Sequence, residues 1–74
     1  MLNFNHLYYF HVTAHEGSIK AAADRLGVTQ PTVSEQIRML ERSLGVPLFD
    51  RAANGLRLTE QGREAFEHTT TMFL

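Results

Sequence analysis

The chain has 74 residues, seven Lys and Arg against eight Asp and Glu, 43% hydrophobic residues and no cysteine. A domain of this size buries only about 60% of the surface its unfolded chain exposes; without thiols it has no disulfide, and four scattered histidines are a poor basis for structural zinc, so association with another chain is the expected supplement. No apolar run approaches the roughly 20 residues of a membrane span and the first residues lack the pattern of a secretory signal, which makes a cytoplasmic protein the expectation.

In chain order, the first periodic segment runs from about Asn5 to Glu16. Leu7, Phe10 and Ala14 recur at i, i+3 and i+7, Asn3 or Asn5 can cap the start, and Gly17 is placed to end the helix in the left-handed conformation. Ser18 then caps a short, alanine-rich helix from Ile19 to Leu26, with the stripe Ile19, Ala22, Ala23 and Leu26 closed by Gly27. Small side chains there let another helix cross closely. Thr29 caps a third helix with Pro31 in its first turn, where the missing N–H costs little. Its stripe is Val33, Ile37, Leu40 and Leu44, ending at Gly45.

Two helices separated by only Gly27 and Val28 must cross steeply, which is a helix-turn-helix. On the third helix Pro31, Glu35, Arg38 and Arg42 point away from the apolar stripe, with Ser34 on the flank, so the outer face is polar and hydrogen-bonding. From Val46 to Leu58 the helical period disappears. Two short strands around Asn54-Gly55, with Leu56 and Leu58 alternating around Arg57, predict a β-hairpin wing. Thr59 starts a fourth helix, helped by Glu60, with Ala65, Phe66, Thr69, Met72 and Phe73 on one side.

The expected fold is therefore mainly α: a winged helix-turn-helix over residues 1–58, built from a three-helix core and a short hairpin, followed at 59–74 by the start of a dimerisation linker helix. Taken alone, the helix-turn-helix spacing also suits a three-helix bundle without a ligand. Charge gives little help, because there is no basic block and residues 28–63 hold only five basic against four acidic side chains. His11 and His15 stand at i, i+4, but no third ligand follows at motif spacing, so solvated histidines are expected and no metal. Tyr8, Tyr9 and Phe10 read as core and partner-helix contacts rather than a base-stacking platform. No nucleophile constellation and no glycine-rich phosphate loop is present, so neither an enzyme nor a cofactor is expected.

A longer pattern separates the readings. Leu7-Tyr8-Tyr9-Phe10, Glu16-Gly17-Ser18, Ala21-Ala22, Leu26-Gly27-Val28-Thr29-Gln30-Pro31-Thr32-Val33-Ser34, Gln36-Ile37, Leu40-Glu41, Leu44-Gly45, Leu48-Phe49-Asp50-Arg51 and Leu58-Thr59-Glu60-Gln61-Gly62 resemble the amino-terminal winged helix-turn-helix of LysR-type transcriptional regulators. The opening Asn5-His6-Leu7-Tyr8-Tyr9-Phe10 is similar to the sodium/proton-antiporter activators within that family. The resemblance implies sequence-specific binding of duplex DNA, with Gln30, Pro31, Thr32, Ser34, Glu35 and Arg38 at or in the major groove. Ser18, Arg42, Arg51 and Asn54 complete the implied DNA-binding set, Arg51 and its neighbours meeting phosphate or the minor groove.

Two positions depart from the family's habit: Glu35, often basic or small there, and Asn54, often arginine. Glu35 can accept from a cytosine amino group or temper the positive charge of the helix. The amide of Gln30 can read adenine or serve only as a first-turn residue, and Arg42 can meet phosphate or solvent. Arg38 and Arg42 can alternatively pair with Glu35 or Glu41 on the helix surface, each pair worth about 0.2–0.5 kcal/mol, and Glu41 is expected to pair with one of them. Dimerisation is expected through Tyr8, Tyr9, Phe66, Thr69, Met72 and Phe73, giving a homodimer on a palindromic site. The rival is a helical protein-interaction module without DNA binding, using Tyr8, Tyr9, Val12, Phe66 and Phe73. Because 74 residues leave no room for the effector-binding domain of such regulators, the chain is expected to be a fragment, and a small-molecule or ion effector belongs to a full-length protein.

Overall fold

A computed structural model describes residues 3–51 and 55–73, which form α1 (Phe4–Glu16), α2 (Ile19–Leu26), α3 (Gln30–Leu44), β1 (Phe49–Asp50), β2 (Arg57–Leu58) and α4 (Glu60–Met72). Each helix begins where a side chain takes up an orphan backbone donor. Asn3 Oδ1 accepts from Asn5 N–H at 2.8 Å, Ser18 Oγ from Ala21 N–H at 3.0 Å, Thr29 Oγ1 from Thr32 N–H at 3.3 Å and Thr59 Oγ1 from Gly62 N–H at 2.9 Å. Gly27, at φ 71°, closes α2 in the left-handed region, and the next N–H, of Val28, returns to Ala23 O at 3.1 Å. That two-residue exit swings α3 across α2 over Ala22 and Ala23, both buried.

The core consists of Phe10 and Val12 from α1, Ala22 and Ala23 from α2, Val33, Ile37 and Leu40 from α3, and Leu48 and Phe49 at the start of the wing. The Phe10 and Phe49 rings lie 5.4 Å apart. α1 packs against α2, α3 and α4 alike, so it buries more than the single stripe Leu7, Phe10, Ala14. Val12 and Thr13 are buried as well, and the Thr13 hydroxyl donates to Tyr9 O at 2.7 Å, which removes the cost of taking it from water. The expectation for Val12 as part of an exposed sticky surface is corrected accordingly. Leu44, expected to close the stripe of α3, is 40% exposed, because burial of that stripe ends at Leu40, one turn earlier.

β1 and β2 pair antiparallel with Phe49 opposite Leu58 and Asp50 opposite Arg57. The expected turn residue Asn54 lies outside the described residues. α4 is seated on the wing by two bonds from Thr59, N–H to Leu48 O at 3.0 Å and hydroxyl to Pro47 O at 2.7 Å. Gly62 is buried where α4 crosses the residues just before β1, and a Cβ there would run into the Leu48 carbonyl. This is a requirement of close approach, not of backbone angle.

Candidate nucleic-acid interface

The outer face of α3 is as the helical period requires. Gln30, Pro31, Thr32, Glu35, Arg38 and Arg42 are exposed and Ser34 is half-buried on the flank. The start of α3 adjoins the start of α2 and the wing, so that Ser18, Ile19, Lys20, Gln30, Arg51, Gly55 and Leu56 line one groove. Ser18, Gln30 and Arg51, far apart in sequence, thereby share one surface with the polar face of α3 continuing from it. Lys20 was not among the expected site residues; its place in the first turn after the Ser18 cap was the available signal. Arg57, exposed on β2 as the alternation of the wing requires, lines a different groove, with Asp50, Glu60 and Arg63.

Several of the charges on this side are held in surface pairs within the chain. Glu35 takes one arginine on each carboxylate oxygen, Arg38 Nε at 3.6 Å from Oε2 and Arg42 Nη2 at 3.5 Å from Oε1. Lys20 Nζ lies 3.4 Å from Asp24 Oδ2. Such exposed pairs are worth about 0–1 kcal/mol and are exchangeable for a phosphate or a base edge. Thr32 shares a 2.9 Å hydrogen bond with the Thr29 hydroxyl, which steadies the first turn. Glu41 does not pair with Arg38 or Arg42 as expected. Its Oε2 instead accepts the backbone N–H of Leu48 at 2.7 Å and of Phe49 at 3.3 Å, and its Oε1 lies 3.9 Å from Arg51 Nη2.

The residues expected at a dimer contact divide. Tyr8 and Met72 are exposed, whereas Tyr9 and Phe66 are half-buried against the core. Thr69 is buried within its own chain, which corrects its expected place on a dimer surface. Its hydroxyl donates to Phe66 O at 3.2 Å and meets His11 Nδ1 at 2.9 Å. Phe73, half-buried, sits edge-on to Phe4 and Tyr8, each ring 5.2 Å away. α1 thus covers much of the apolar side of α4, leaving Phe4, Tyr8 and Met72 as the exposed apolar end of the seam.

His11 lies in this seam against Phe66 and Phe73, and burial first, then the charge of His15, lowers its pKa below the ordinary 6.5. Among the described residues no group of three or more His, Cys, Asp or Glu could hold a metal ion, and no helix is long and apolar enough to cross a membrane.

Residues 4–63 match the family model of the bacterial regulatory helix-turn-helix proteins, lysR family. The chain is similar to the HTH-type transcriptional regulator TfdS of Cupriavidus pinatubonensis, with 45% identity over 71 residues, 96% of this chain and 24% of that protein. It is also similar to the transcriptional activator protein NhaR of Escherichia coli K12, with 42% identity over 72 residues, 97% of this chain and 24% of that protein. It therefore spans about a quarter of the length of these relatives. Among solved structures, the BenM_DBD/benA site 1 DNA complex superposes with a TM-score of 0.90 at 32% identity, covering 96% of this chain and 83% of that one.

Proposed function

This chain belongs to the LysR family of bacterial regulatory helix-turn-helix proteins, and from that premise we propose that it binds duplex DNA sequence-specifically to regulate transcription. The observation that carries this is the single surface formed by the start of α2, the outer face of α3 and the wing, where Ser18, Gln30 and Arg51 line one groove. A helix with its surrounding side chains fits a major groove about 12 Å wide, which assigns base reading to Gln30, Pro31, Thr32, Ser34, Glu35 and Arg38. Ser18, Lys20, Arg42 and Arg51 take the flanking phosphates. A bidentate amide on adenine for Gln30 and a guanidinium fork on guanine for Arg38 are the pairings their chemistry favours. We assign it no reaction and no cofactor, and its place is the bacterial cytoplasm, where the DNA is.

Two copies pair through the exposed end of the α1–α4 seam, Phe4, Tyr8 and Met72, rather than through the whole side of α4. A symmetric pair spaces two recognition helices by about 34 Å or a multiple and so reads a palindrome. Regulation by an effector would belong to the remaining length that the relatives have. The rival interaction module is not favoured, since Val12 is in the core and Phe66 is half-covered by its own chain.

The test is fluorescence anisotropy with a duplex selected from a randomised pool and with an unselected duplex, across a salt series. A selected palindrome should bind at least about a thousandfold tighter than the unselected duplex for a specific reader, and both affinities should fall steeply with salt. Equal affinity for both duplexes would defeat sequence-specific reading, and tight binding that ignores salt would defeat the phosphate contacts.

A further inference from the structure

The wing is two strands of two residues each, too short to hold its own direction. It is anchored by Leu48 and Phe49 in the core and by Thr59 from α4. From α3 its anchor is Glu41, whose side chain is only 16% exposed. That one carboxylate is divided between two tasks: Oε2 gathers the backbone N–H groups of Leu48 and Phe49, and Oε1 faces Arg51. The amide hydrogen bonds are partly buried and charge-assisted, and the one from Leu48 is short at 2.7 Å, which makes them durable. The arginine pair is long, and the Arg51 side chain is 38% exposed, so a phosphate competes well for it.

We propose that Glu41 is a positioning residue that couples base reading to backbone clamping: it sets the wing on the recognition helix through the Leu48 and Phe49 amides and holds Arg51 until a DNA phosphate takes the guanidinium over. This rests on the DNA-binding reading given above. Because Leu48, Phe49 and Arg51 lie within four consecutive residues, moving the Glu41 carboxylate would move the wing backbone and its cation together. The two oxygens also have separable roles. Glu41→Gln retains an oxygen for the amides and loses the charge that holds Arg51, whereas Glu41→Ala loses both.

A double-mutant cycle with Arg51→Ala tests the arginine half, using a labelled duplex of unselected sequence because phosphate clamping needs no particular bases. Glu41→Gln should tighten binding about two- to fivefold, the span of an exposed ion pair, and should have no effect in the Arg51→Ala background. An equal gain in both backgrounds would mean a general relief of negative charge, and a loss matching that of Arg51→Ala would mean that Glu41 assists the contact; either overturns this half. Amide spectra of the free protein test the tether separately. The Leu48 and Phe49 N–H signals should move strongly in Glu41→Ala and little in Glu41→Gln, and unchanged signals in Glu41→Ala would overturn it. If the unaltered chain bound no duplex at all, the DNA-binding reading would fail and take the Arg51 half with it, while the amide spectra would still decide the tether.

Discussion

The seam between α1 and α4 and the surface of α3 with the wing place comparable numbers of interacting groups in opposite states. In the seam, Phe66, Phe73, His11 and Thr69 are committed to one another, with ring separations of 5.3 Å and a partly buried hydrogen bond of 2.9 Å. On the α3 side, Glu35 with Arg38 and Arg42, and Lys20 with Asp24, are held in pairs exposed to water. Burial makes the first set expensive to rearrange and exposure makes the second cheap. On the DNA-binding reading proposed above, pairs of the second kind are the ones given up to nucleic acid at little cost.

Substitutions on the two faces of α3 should break this contrast most plainly. Ile37→Ala removes a fully buried side chain and should cost about 2–5 kcal/mol in folding, read from the denaturant midpoint. At the α4–wing crossing, Gly62→Ala sets a Cβ against the Leu48 carbonyl and should cost about 1–3 kcal/mol, seen as a lowered melting temperature. An unchanged melting temperature would mean that α4 can move off Leu48 freely.

Arg38→Ala, on the outer face, should leave stability within about 0.5 kcal/mol. On a selected duplex it should cost about 1–3 kcal/mol of binding and relax preference at one or two base pairs. Equal losses on selected and unselected duplexes would assign Arg38 to phosphate instead. Lys20→Ala should lower the slope of log K against log salt by about one unit, with folding nearly untouched. A slope that stays the same would leave Lys20 outside the contact.

The smallest effect sharpens the seam itself. Burial, and after it the charge of His15, sets the folded-state pKa of His11 below the unfolded value, so the folded chain binds fewer protons in that range. The stability this represents is present above the ordinary 6.5 and is lost as pH falls through it toward the folded value. Melting temperatures between neutral and mildly acidic pH should therefore decline less in His11→Gln than in the unaltered chain. A parallel decline would show that the histidine is solvated in the folded state.

Much of this architecture was legible without coordinates. Ser18, Thr29 and Thr59 mark helix starts and Gly17, Gly27 and Gly45 mark ends, because a hydroxyl cap and a left-handed residue are local requirements that the chain carries in place. The outward arc of Glu35, Arg38 and Arg42 was equally readable from the rotation of about 100° per residue. Thr13 was not, since a threonine that finds a backbone carbonyl can be buried while looking like a surface residue in any pattern of polarity, and for Thr69, already on the apolar side of its helix, the cover by its own chain was not. Glu41 misled for a related reason: its nearest basic neighbours in sequence, Arg38 and Arg42, are drawn to Glu35, while its own partners arrive from seven to ten residues on.

By itself, then, the sequence determined the four helices, the steep turn at Gly27, the polar face of α3 and the presence of a wing, all of which follow from backbone preferences and periodicity within about four residues. Tertiary structure alone decided that α1 is central rather than one-sided, that Val12 faces inward, that α1 of the same chain covers Thr69, that Lys20 joins the groove of Ser18, Gln30 and Arg51, and that Glu41 belongs to the wing. Those outcomes depend on which surfaces meet across long stretches of chain, and a side chain's partner there is chosen by distance and desolvation, for which periodicity holds no record.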